Sequence, residues 1–99
     1  MTPAEFQTSL ANSSPPVGLS TALAALWWMG KGEWNRAHQV AMSGEDADCA
    51  WAHAHLHRVE GDLDNARYWY HRAGRAPATG ELVPEWTAMV AALLGSPRR

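Results

Sequence analysis

Shifted by 29 positions, this sequence falls on itself. Gly32 lands on Gly61, Glu33 on Asp62, Trp34 on Leu63, Asn35 on Asp64 and Ala37 on Ala66, with Ala25 on Ala54 and Ala41 on Tyr70 further out. Each residue in the match has a physical task. Glycine permits a tight reversal between antiparallel helices. The acid beside it caps the next helix and suits its positive end. The large apolar residue that follows plugs the end of the helix pair, and the small alanines let helices approach. A helical hairpin of this kind cannot cover its own apolar face, so it must stack on a copy.

Breakers and caps divide the rest of the chain. Thr2-Pro3-Ala4-Glu5 reads as a capping box with proline in the first turn, and predicts a short helix to Leu10 or Ala11. Asn12-Ser13-Ser14-Pro15-Pro16 ends it. Ser14 or Ser20 can cap a second helix running to the Gly30-Lys31-Gly32 turn, and a third covers Glu33 to Ser43. Asp46 caps a fourth helix from Ala47 to Glu60, and Asp62 a fifth that ends at Gly74. Pro84 opens a sixth, with Trp86, Met89, Val90, Leu93 and Leu94 apolar at helical spacing, closed by Gly95. No segment alternates with the period of a strand. The expectation is one all-α domain over 1–99: an N-terminal helix and linker (1–14), repeat 1 (15–43), repeat 2 (44–74), a loop (75–80), a capping helix (81–95) and a tail (96–99).

Gly32-Glu33-Trp34-Asn35-Arg36-Ala37 and Gly61-Asp62-Leu63-Asp64-Asn65-Ala66 resemble the Gly-Asp-Tyr-x-x-Ala turn of the tetratricopeptide repeat family. The resemblance covers Leu19 to Gly74. It departs from the family in its period, 29 residues against about 34, and in having two units where about three are usual. It implies an α-α superhelix of two TPR-like hairpins, with the first and last helices as caps, and a concave groove that accepts a peptide or partner protein. The stretches Ala50–Asp62 and Tyr68–Arg75 are also similar to small helical proteins of bacteria, which implies no activity.

Composition excludes several classes. Eight Lys and Arg against ten Asp and Glu give a net charge of −2, which argues against a general binder of nucleic acid or membrane. No apolar run approaches the roughly 18 residues of a membrane span. The amino terminus lacks the basic and apolar segments of a secretory signal. The single cysteine, Cys49, makes no internal disulfide, so the expected location is the reducing cytoplasm. Six tryptophans are many for a core this small, which raises the expectation of a homodimer or a covered groove.

Candidate chemistry concentrates in the fourth helix. At about 100° per residue, Cys49, His53, His57 and Glu60 share one stripe, within about 40° of His53. These could ligate zinc or another transition metal, since His at i and i+4 is a spacing helical metal sites use. The alternative is a set of buried histidines satisfied by hydroxyl, amide or carboxylate partners, with no cofactor. The opposite side carries Trp51, His55 and Arg58, which the resemblance places in the groove. An aromatic, an imidazole and a guanidinium together can hold a carboxylate or peptide terminus. The alternative there is a face covered by a terminal helix. Tyr68 and Arg72 form an i, i+4 pair suited to a surface that another chain covers. The aromatic and basic run Tyr68-Trp69-Tyr70-His71-Arg72 could stack bases, but Glu60, Asp62 and Asp64 neutralise its surroundings. The leading expectation is a protein-interaction module. An enzyme using His53, His57 and Glu60 for metal or acid/base chemistry, and a purely self-associating domain, stand beside it; no residue is assigned as catalytic.

Overall fold

A computed structural model describes residues 1–95. It consists of six helices: α1 (Pro3–Ser9), α2 (Thr21–Gly30), α3 (Trp34–Met42), α4 (Ala47–Glu60), α5 (Leu63–Ala73) and α6 (Leu82–Gly95). There is no strand among the described residues. The tail expected at 96–99 lies outside them.

The two reversals obey the 29-residue shift down to individual hydrogen bonds. At the first, the Glu33 N–H donates to the Trp28 carbonyl at 2.9 Å; at the second, the Asp62 N–H donates to the His57 carbonyl at 2.9 Å. Gly32 (φ 81°) and Gly61 (φ 86°) supply the left-handed residue that this six-to-one closure requires. The caps differ. Asp62 accepts from the Asn65 N–H, whereas Glu33, expected to do the same, makes no side-chain cap bond, because its extra methylene carries the carboxylate past the helix end. Thr2 and Glu5 form the expected capping box, Asp46 caps α4, and of the two serines proposed for α2 it is Ser20 that does so.

Hairpin α2–α3 packs on hairpin α4–α5 mainly through α4, and α6 crosses α2 and α4 with α1 against it. The middle of α4 is therefore enclosed on every side: each residue from Cys49 to His57 is buried. Alanines at 50, 52 and 54 allow that crowding. The indoles are absorbed within one chain. Trp27, Trp51 and Trp86 are buried and Trp28, Trp34 and Trp69 half-buried.

Candidate functional site

Three histidines converge between the hairpins. His53 and His57 sit one turn apart on α4, and His38 comes from α3. Each offers a ring nitrogen, and the three nitrogens lie within 4.8 Å of one another. Nε2 of His38 stands 2.9 Å from Nε2 of His53, so one ring donates to the other. The Nδ1 of His57 is 2.6 Å from a carboxylate oxygen of Glu60, which leaves Nε2 as its free nitrogen. A carboxylate behind a histidine in this way fixes ring orientation and tautomer and raises the basicity of the other nitrogen.

Aromatic walls hold the rings. Trp34 stacks on His38 at 4.7 Å between centroids and 13° between planes, with its Nε1–H anchored on the Leu56 carbonyl at 2.7 Å. Trp69 stacks on His53 at 3.9 Å and 14°. Burial, reinforced by His38 and His57, pushes His53 down to about 4. Burial and the neighbouring His57 also lower His38, against a smaller opposing pull from Glu60. Both rings are thus neutral at neutral pH and keep a lone pair available.

The proposed four-residue stripe does not assemble as such. His53 and His57 come together, but Glu60 stands behind His57. Cys49 lies beside Gly44, outside the cluster. Burial first, then Asp46 and Asp48, push its thiol up to about 12, so it stays protonated. The missing member was His38. The repeat conceals it, since the 29-residue shift sets it against Arg67. The available signal was local: His38 lies one turn beyond Trp34, on the side of α3 that turns toward α4.

The face expected to be a groove around Trp51, His55 and Arg58 is partly closed by α6. Glu85, in the first turn of α6, enters this face and is 7 % exposed. It accepts from Nδ1 of His55 at 2.7 Å, from Arg58 Nη1 at 2.7 Å and from the Tyr70 hydroxyl. Burial alone would raise the Glu85 carboxyl, but the donors from His55, Tyr70 and Arg58 prevail and hold it below 4.5. Burial and the bond to Glu85 push the Tyr70 hydroxyl well above its ordinary range. Arg58 also reaches the Gly80 carbonyl at 2.5 Å, and the Arg75 guanidinium lies 3.4 Å above the Trp51 ring. A buried guanidinium needs a counter-charge. The sequence hides one, because Glu85 occupies the apolar stripe of α6 one turn before Met89. Tyr68, half exposed, and Arg72 do face solvent, with Arg72 Nη1 3.2 Å from the Tyr68 hydroxyl and its guanidinium 5.2 Å from the Trp69 ring.

Fold and site together define a class: an all-helical pair of hairpins with a three-histidine cluster at their junction. The chain matches no protein-family model, no curated protein and no solved structure. No helix among the described residues is long and apolar enough to cross a membrane.

Proposed function

We propose that this chain is a transition-metal-binding domain of TPR-like build, holding a divalent ion, zinc by its ligand chemistry, on His38, His53 and His57. What carries the reading is the convergence of three ring nitrogens within 4.8 Å, one of them backed by Glu60. Zinc takes imidazole nitrogen at about 2.0–2.1 Å, so tetrahedral ligands stand about 3.3 Å apart. The His38–His53 separation of 2.9 Å is a few tenths short of that, within reach of small ring rotations. Imidazole ligands without thiolate suit zinc, copper or nickel over calcium or magnesium. Three protein ligands leave a fourth position for water or a small anion, the arrangement of catalytic rather than structural zinc sites. His38 belongs to the first hairpin and the other two ligands to the second, so the ion would also fasten the hairpins together.

The test is zinc titration by calorimetry on tag-free protein, paired with thermal unfolding. One ion per chain is expected. At a free concentration of 100 times Kd it should stabilise the fold by about 2.7 kcal/mol, reversed by a chelator. His38→Ala, His53→Ala and His57→Ala should each weaken binding by at least about 100-fold, and Glu60→Gln by about 10–100-fold. Cys49→Ser should leave affinity unchanged. Absence of saturable binding, or a His38→Ala variant that binds as tightly as the parent, overturns the proposal.

A further inference from the structure

On the other side of α4 lies a cleft of about 350 Å³ between α1, α2, α4 and α6. Leu10, Met29, Val59, Leu82 and Trp86 form its apolar wall, Gln7 and Thr87 add polar groups, and His55 is the imidazole in it. The backbone shapes it too: a Cβ on Gly30 would press to 2.9 Å from Trp86 and 3.1 Å from Leu10. Molecules of one ring fit such a space, since a cavity of about 150 Å³ is enough for benzene.

His55 gives the cleft its chemistry. The residue is 2 % exposed, and its Nδ1 faces the Glu85 carboxylate. That carboxylate is ionised and can only accept, so Nδ1 carries a hydrogen, and in the neutral ring Nε2 then carries the lone pair. Nε2 has no hydrogen-bond partner among the described residues. No fully buried side-chain nitrogen or oxygen there lacks one, so Nε2 keeps part of the small exposure His55 retains, and His55 lines the cleft. The tautomer is fixed from behind: Arg58 and Tyr70 hold Glu85, and Glu85 holds His55. A largely apolar open cleft, with Gln7 and Thr87 at its wall and one acceptor oriented from behind, suits an apolar ring that carries one donor.

We infer that this cleft binds a small, single-ring apolar molecule carrying a hydroxyl, which donates its hydrogen to Nε2 of His55. The site is separate from the histidine cluster, on the opposite side of α4, and does not depend on a metal being bound there. Nothing in the cleft supplies a charge to the ligand, so recognition rests on burial of the ring and on one hydrogen bond. A neutral phenol meets both demands; toluene meets only the first.

Calorimetric titration with p-cresol and with toluene separates the two contributions, with the imidazole nitrogens of His55 followed by nitrogen-15 NMR in the same samples. The expected result is one p-cresol per chain, bound about tenfold more tightly than toluene, the free-energy value of one hydrogen bond at the upper end of its usual range. The Nε2 resonance of His55 should move in step with saturation. Val59→Trp, which fills the cleft from its half-buried wall, should abolish binding of both probes. No saturable binding of p-cresol up to its solubility overturns the inference. So do equal affinities for the two probes, an unmoved Nε2 resonance, or binding that survives Val59→Trp.

Discussion

Replacing Glu85 by alanine is the sharpest perturbation of this fold. Its carboxylate is the shared acceptor for three donors on two other helices: His55 and Arg58 of α4 and Tyr70 of α5. Removal leaves the Arg58 guanidinium, whose side chain is 11 % exposed, with the Gly80 carbonyl and the Tyr70 hydroxyl oxygen but no counter-charge, and takes the acceptor from His55 and Tyr70. Each buried donor left unpaired costs about 1–3 kcal/mol, and breaking a buried ion pair by deleting one member costs about 3–5 kcal/mol. These overlap, because a relaxed Arg58 can reach water, so the expected loss for Glu85→Ala is about 3–5 kcal/mol. A domain of this size has roughly 5–15 kcal/mol in all. The midpoint of thermal unfolding should fall by roughly 15–30 °C. Urea denaturation followed by circular dichroism gives the energy directly, and a double-mutant cycle isolates the pair. In an Arg58→Leu background, Glu85→Ala should cost at least about 2 kcal/mol less than in the parent. A loss under about 1 kcal/mol, or costs that simply add, would refute the idea that Glu85 is coupled to Arg58 across the contact of α6 with α4.

The same carboxylate sets an acid limit. Its folded value lies below the ordinary 4.5, so its contribution is complete above about pH 4.5 and disappears as the pH falls through the folded value. The stability difference between the parent and Glu85→Gln should therefore shrink below pH 4.5 and stay constant from pH 5 to 7, as measured by urea midpoints. Two alanine substitutions at glycine should fail for different reasons. Gly44→Ala would drive its methyl into Cys49 Sγ and should cost about 1–3 kcal/mol through overpacking. Gly61→Ala meets no neighbour but must hold φ near 86°, a backbone cost of about 1–2 kcal/mol. Cys49→Ala should relieve part of the first loss and none of the second. Finally, Cys49 is 1 % exposed with its thiol pushed up to about 12, so a thiol-specific reagent should label it only as fast as the protein opens. Labelling at the rate of a free thiol would contradict that packing.

The helices were legible because their determinants are local. Asp46 and Gly61 bracket α4 at the residues the caps predict, and the shift that pairs Gly32 with Gly61 also pairs their closing hydrogen bonds. What local pattern could not fix was which of two faces of α4 would stay open, because both carry histidines and neither is uniformly apolar. The answer came from residues distant in sequence. Glu85, 30 positions beyond His55, closes one face by neutralising Arg58, and His38, 15 positions before His53, completes the other. Each is a polar residue on a side of its helix that the apolar pattern assigns to the interior. A buried position filled by a titratable group costs stability unless something meets it across the interface. In a chain with three interior histidines on one helix, Glu85 and His38 are therefore the places to ask what they meet. The answers differ in kind: Glu85 meets three hydrogen-bond donors, while His38 meets two other imidazoles and shares a single hydrogen with one of them. The one hydrogen shared between His38 and His53 cannot engage three ring nitrogens, whereas the proposed divalent cation would be met by all three at once.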